Sequence, residues 1–197
     1  TIYVANLESN SVSIIDGSTN SILDIVTVGK KPLGISINPV TNMVYLINTN
    51  SANISVINGS TNSIVKTIDL NGVPYGIDVN PLSNMIYVID PFSTINYVDG
   101  NSNKVVNSIK INGNPQRISV NPVTNMIYVT DSKSGSVHII DGSTNSIVKT
   151  IQLDTDSIPI AITINPVTNM IYVTDSKSGS VHIIDGSTNS IVKTIQL

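Results

Sequence analysis

The chain of 197 residues has 40% hydrophobic content and a formal net charge of -3, which suits one substantial core or one repeat array. Ten basic residues, with Arg117 the single arginine, leave no electrostatic footprint for a phosphate backbone or an anionic membrane surface, and nucleic acid is not an expected partner. The absence of cysteine excludes disulfides, thiolate catalysis and Cys-ligated metals, and no apolar run approaches the ~20 residues that a bilayer-spanning helix requires.

Thr1 opens directly on "IYVAN", which reads as a strand, so any initiator methionine, signal peptide or upstream anchor is expected to have been removed or to lie outside the sequence. From there one unit of about 42 residues recurs. The tyrosine of an IYV-like segment falls at Tyr3, Tyr45, Tyr87, Tyr128 and Tyr172. A turn dipeptide keeps step at Asp16-Gly17, Asn58-Gly59, Asp99-Gly100, Asp141-Gly142 and Asp185-Gly186, and Asn-Pro recurs at Asn38, Asn80, Asn121 and Asn165. The units span residues 1–28, 31–70, 73–111, 114–153 and 158–197. Asn121 to Leu153 recurs without substitution as Asn165 to Leu197, which points to a recent duplication or to engineering.

Turn signals within a unit leave no room for a helix of ordinary length but fit strands of five to seven residues. In the second unit the strands are expected over Leu33 to Asn38, Met43 to Asn48, Asn53 to Asn58 and Ser63 to Leu70, termed A to D here. Ile, Val, Thr and Tyr dominate them, as suits a packed, pleated surface. In "NPVTN" proline presets the first corner and the closing Asn accepts a left-handed conformation; in "DGSTN" glycine and asparagine are expected to meet the same demand. Strands A to C are apolar on both faces, so each sheet must be covered on both sides. Radial stacking of four-stranded sheets into a β-propeller meets that need; a parallel β-helix, with shorter turns, is the competing solenoid.

"IYVTDSKSGSVHIIDGSTNSIVKTIQL" resembles the YVTN-type β-propeller repeat, and the resemblance extends over all five units. It implies an all-β propeller of four-stranded antiparallel blades, similar to surface-layer and other extracellular proteins of archaea and bacteria, commonly with seven blades. The chain departs from that pattern in having fewer repeats and Asp rather than Asn after "YVT" in its last two units. The first blade begins at strand B, so nineteen strands are expected rather than twenty. A longer propeller is the favoured explanation; imperfect five-blade closure and a strand donated by a partner are the others.

Differences between units concentrate in the B-to-C and D-to-A connections, where recognition is expected. Tyr75 and Phe92 in the third unit, with Asp78 and Arg117 near the inner strands, are the candidate binding residues, set against the plainer reading that the aromatics fill a crevice and cap an edge. His138 and His182 replace Ser13, Ser55 and Asn96 on strand C, a position read as a solvated face, and no metal site is expected of them. "DTDS" at Asp154 to Ser157 is a weak calcium candidate without the Gly and Glu of an EF-hand loop. Asn53 and Asn58 head N-glycosylation tripeptides. No serine sits in a nucleophile elbow, so no catalytic residue and no cofactor are assigned.

Asparagine and serine make up about a quarter of the chain while charged residues are scarce, a style common in secreted β-proteins. The expected function is therefore a non-enzymatic extracellular or cell-surface scaffold or interaction module, a surface-layer, adhesive or filament component. Its partners would be a protein, a surface glycan or further copies of itself, without membrane insertion in this region. The alternative is a propeller enzyme of dehydrogenase or lactonase type, with its site at a central channel lined by Ser36, Asp78, Ser119 and Thr163.

Overall fold

The computed structural model describes residues 1–197 and contains nineteen strands in five antiparallel sheets. Sheet I holds β1 (Ile2–Asn6), β2 (Ser11–Ile15) and β3 (Ile22–Thr27). Sheet II holds β4 (Pro32–Asn38), β5 (Met43–Asn48), β6 (Asn53–Asn58) and β7 (Ser63–Asp69). Sheet III holds β8 (Gly76–Asn80), β9 (Met85–Asp90), β10 (Thr94–Asp99) and β11 (Lys104–Lys110). Sheet IV holds β12 (Pro115–Asn121), β13 (Met126–Asp131), β14 (Ser136–Asp141) and β15 (Ser146–Gln152). Sheet V holds β16 (Pro159–Asn165), β17 (Met170–Asp175), β18 (Ser180–Asp185) and β19 (Ser190–Gln196). Every strand pairs with its neighbour in sequence, as short turn connections dictate, and the only helical element is a 3-10 turn at Thr49–Ser51. In sheet II the first strand begins one residue earlier than expected, at Pro32, and the last ends one earlier, at Asp69.

The chain forms two compact units, one of Thr1–Asp90 with Asn96–Ser108 and one of Pro91–Ile95 with Ile109–Leu197. In the first, Tyr45, Ile47, Ile54 and Val56 of sheet II pack against Val79, Ile86, Val88 and Val98 of sheet III. The opposite side of sheet II, Val44, Leu46 and Ile57, receives Tyr3, Ala5, Val12 and Ile14 of sheet I. In the second unit Tyr128, Val137 and Ile139 of sheet IV pack on Ile171, Val173 and Ile184 of sheet V. Period-two alternation thus gives each sheet a tyrosine face and an aliphatic face, and the tyrosine faces of sheets I, II and IV meet the aliphatic faces of sheets II, III and V respectively. Full burial of one such side chain is worth ~1.5–3 kcal/mol, so these interfaces carry much of the stability.

The turns use the expected residues, in part for a different reason. Asn42, Asn84, Asn125 and Asn169 close the Asn-Pro turns, and Asn20, Asn62, Asn103, Asn145 and Asn189 the Asp-Gly-type turns, all with φ between 52° and 57°. The Asp-Gly glycines, expected to share that task, do not have positive φ. Gly59, Gly142 and Gly186 lie instead where a Cβ would come within 2.4–2.6 Å of the Oδ1 of Asn42, Asn125 and Asn169. Their role is to let the D-side turn close against the A-to-B turn of the same sheet.

Candidate functional site

Strand B of every unit, which is β1, β5, β9, β13 and β17, ends on an amide or carboxylate: Asn6, Asn48, Asp90, Asp131 and Asp175. In sheets I and II the amide donates across to strand C, Asn6 Nδ2 to Ser13 Oγ of β2 at 2.8 Å and Asn48 Nδ2 to Ser55 Oγ of β6 at 2.9 Å. A carboxylate only accepts, so its cross-strand partner must donate. In sheet IV Asp131 Oδ2 lies 3.2 Å from His138 Nε2, and in sheet V Asp175 Oδ2 lies 3.6 Å from His182 Nε2. The far ring nitrogens reach Thr150 Oγ1 at 3.0 Å and Thr194 Oγ1 at 3.1 Å. A proton on Nε2 lets each imidazole face its carboxylate and leaves Nδ1 to accept from threonine.

These strand C positions are not the solvated face expected from sequence: Ser55, Asn96 and His182 are buried, and Ser13 and His138 are half-buried. They lie on the aliphatic face of their sheets, and for Ser55 and His182 the preceding sheet covers that face. Burial alone pushes the Asp131 carboxyl up. Hydrogen bonds from His138, the Asn114 amide and Ser134 outweigh it and hold the group far below the usual carboxylate range.

Asp131 is also the foot of a loop. Its Oδ1 accepts from the Lys133 amide at 2.9 Å and the Ser134 amide at 3.3 Å, which fixes the β13–β14 turn. Gln152 Nε2 pins the far side of that turn through the carbonyls of Ser134 at 2.8 Å and Gly135 at 3.1 Å. Gly135 has φ 62°, and a Cβ there would lie 2.9 Å from the Ser157 carbonyl.

The pinned turn forms one wall of a polar cleft of about 340 Å³. Ser132, Lys133, Ser134 and Gly135 come from the β13–β14 turn, Gln152 from β15, Asp156, Ser157 and Ile158 from the β15–β16 connection, and Lys177 from the β17–β18 turn. Lys177 Nζ pairs with Asp156 Oδ2 at 3.0 Å. Lys133, its equivalent in the repeated "DSKSG", is exposed and forms no ion pair, so the cleft keeps one uncompensated positive charge.

None of the four candidate binding residues lines this cleft. Tyr75 is half-buried before β8 and donates its amide to the Ile89 carbonyl at 2.9 Å. Asp78, on β8, accepts from Ser36 Oγ at 3.0 Å, which joins the first strands of sheets II and III. Phe92 is 76% exposed on the β9–β10 turn. Arg117 is exposed on β12, with Nη1 donating to the Gln116 carbonyl at 2.8 Å. The Asp154–Ser157 loop does reach the cleft, but through the Asp156–Lys177 pair rather than as a calcium loop, and no three His, Asp or Glu side chains gather as metal ligands. Asn53 accepts from Asn48 and Asn58 from the Ser60 amide, while Ser55 is buried; both tripeptides thus have structural uses. What pointed to the cleft in the sequence was the longest spacing between repeats, 44 residues, beside two copies of a lysine-bearing turn.

No protein-family profile matches the chain. A stretch of 42 residues, 21% of the chain, is 45% identical to the PE-PGRS family protein PE_PGRS18 of Mycobacterium tuberculosis, and covers 9% of that protein. The fold is similar to a chain of Kuenenia stuttgartiensis hydrazine synthase, with TM-score 0.88 and 20% identity over 99% of this chain and 62% of that one. The likeness to this enzyme is one of fold.

Proposed function

We propose that the chain builds a β-propeller, or a run of its blades, and serves as a non-enzymatic extracellular interaction module whose cleft between the loops of sheets IV and V binds an acidic, hydroxyl-rich ligand such as a surface glycan. The observation that carries this reading is the unpaired Lys133 among serine hydroxyls, on a turn held rigid by the buried Asp131–His138 pair. Otherwise copied sheets differ in the connection that completes this cleft, as recognition on a repeated scaffold requires. A neutral-polar composition rich in asparagine and serine supports an extracellular setting. The test is binding to immobilised acidic and neutral oligosaccharides, with Lys133→Glu as control. Retention of acidic glycans that Lys133→Glu abolishes is expected; equal binding by both proteins, or none by either, sinks this reading.

A second reading, a propeller enzyme, rests on the chain Asp131–His138–Thr150, which ends on an exposed hydroxyl; the same residues in sheet V keep the His182–Thr194 contact but leave Asp175 Oδ2 3.6 Å from His182 Nε2, beyond hydrogen-bond distance. Loss of a measured hydrolytic activity in Thr150→Val at unchanged stability would favour it.

A further inference from the structure

Asparagine is followed directly by glycine at Asn58-Gly59, Asn71-Gly72 and Asn112-Gly113. Such a pair can modify itself: the glycine amide nitrogen attacks the asparagine Cγ, and a glycine without a Cβ leaves that approach open. The fold treats the three pairs differently. Gly59 donates its amide to the Asn42 carbonyl at 2.9 Å, and Asn58 Oδ1 is held by the Ser60 amide at 2.8 Å. Gly113 donates its amide to the Ile111 carbonyl at 2.9 Å. The Gly72 amide has no acceptor in the chain, and the exposed Asn71 side chain makes no hydrogen bond.

Asn112 is the matched comparison, because each of the two pairs follows a fourth strand, β7 or β11, and both asparagines are exposed. Both glycines also lie against the carboxylate that ends the next strand B: a Cβ on Gly72 would collide with Asp90 Oδ2, and one on Gly113 with Asp131 Oδ2. The charge beside the two amides is therefore alike, and the hydrogen bond made by the glycine amide is what differs.

We propose that Asn71 is a site of spontaneous self-modification, at which the chain converts asparagine to aspartate and isoaspartate while Asn58 and Asn112 persist. The Gly72 nitrogen gives its proton to a solvent base and bonds to Asn71 Cγ; the Cγ–Nδ2 bond breaks, and the amide nitrogen takes up a proton and leaves as ammonia. Water then opens the resulting succinimide. Cleavage between Cγ and the Gly72 nitrogen leaves aspartate, and cleavage at the main-chain carbonyl leaves isoaspartate, so water is the only co-reactant and nothing is oxidised or reduced. Both products add one negative charge to the β7–β8 connection.

Isoaspartate also lengthens the main chain by one carbon. Gly72 has no room against Asp90, so the added carbon displaces it and breaks the bond from the Val73 amide to Asp90 Oδ2 at 3.1 Å. The Leu70 amide remains on the Ala52 carbonyl at 2.8 Å and Thr49 Oγ1 on the Pro74 carbonyl at 3.0 Å, which confines the change to residues 71–73. That segment leads into Tyr75, one of the candidate binding residues. None of these residues lines the Lys133 cleft, so the modification stands independently of the ligand proposed there.

Trypsin places the three pairs in separate peptides, which end at Lys66, Lys104 and Arg117. Mass spectrometry of the full chain aged at mildly alkaline pH, against an unaged sample, follows the amide-to-acid mass gain in each. Asn71 converts first; Asn58 and Asn112, whose glycine amides must first give up a hydrogen bond, lag by roughly two- to tenfold. In guanidinium chloride those bonds are lost and the three rates converge. Asn71→Gln, which would have to close a larger ring, keeps the parent circular dichroism spectrum and shows no gain at that position. No gain at Asn71, equal rates at Asn71 and Asn112 in the folded chain, or an order that denaturant leaves unchanged overturns the proposal. Hydrogen exchange in the aged chain reads the release: the Val73 amide loses protection while those of Leu70 and Tyr75 keep it, and unchanged protection at Val73 overturns that local consequence.

Discussion

The side-chain amide of Asn38 donates to Asn84 Oδ1 at 2.7 Å, joining the Asn-Pro turns of sheets II and III, and Asn121 makes the same bond to Asn169 between sheets IV and V. Asn38 Oδ1 meanwhile accepts from the amides of Val40 and Thr41, so one side chain shapes its own turn and ties it to the next. Asn165 is the natural comparison, because it shapes its turn alike but is exposed. Asn38→Ala leaves the buried Asn84 short of a donor and is expected to cost ~1–3 kcal/mol. Asn165→Ala loses only turn bonds and is expected to cost ~0.5–1.5 kcal/mol. Urea midpoints at constant m-value measure both, and equal losses would show that the bond between turns contributes nothing.

Gly59 and Gly17 form a second pair of equivalent positions. A Cβ on Gly59 would meet Asn42 Oδ1 at 2.5 Å and the Asn42 carbonyl at 3.0 Å, while one on Gly17 finds nothing nearer than Ile2 at 3.8 Å. Gly59→Ala must push two turns apart and is expected to cost ~1–3 kcal/mol, as overpacking does. Gly17→Ala meets no obstacle and should be neutral or stabilising by ~0.4–1 kcal/mol through the unfolded chain. Thermal melts of both variants measure the contrast.

Much of this architecture was legible because a 42-residue period, turn dipeptides and period-two alternation all act locally, and β5 and β6 fall where the pattern puts them. Gly59 was assigned the right residue type for the wrong reason, since close approach between two turns depends on a contact that sequence spacing does not express. His138 was read as solvated because polar side chains on strands usually are; its pairing with Asp131, where sheets I and II pair Asn with Ser, depends on a cross-strand contact that composition does not express. The cleft was missed because Lys133 and Lys177 lie 44 residues apart on turns identical in sequence, and aromatic residues drew attention instead.

Asp131 gives the chain an acid-sensitive component. Its folded carboxyl is held below the unfolded value near 3.9, so its contribution is complete above about pH 4 and is lost as pH falls toward the folded value. Asp131→Asn is therefore expected to lower stability at neutral pH by ~1–3 kcal/mol and to flatten the pH dependence below about pH 4. Urea midpoints from neutral to acid pH measure it, and parallel curves for the two proteins would assign the acid loss to other carboxylates.

The duplicated tyrosines make the most direct test of what covers each sheet. Burial pushes the Tyr128 phenol up to about 12, with the nearby Asp185 charge adding to the shift. A raised folded value means that the contribution is complete below the unfolded value near 10 and is lost as pH rises toward 12. Tyr128→Phe keeps the ring and should remove that part of the alkaline loss. Tyr128→Ala empties a fully buried site and is expected to cost ~3–5 kcal/mol. Tyr172 has the same sequence neighbours on a half-exposed face, so Tyr172→Ala should cost less than half as much. A Tyr172→Ala loss equal to that of Tyr128→Ala, read from urea midpoints at constant m-value, would mean that the sheet V face is as well covered as that of sheet IV.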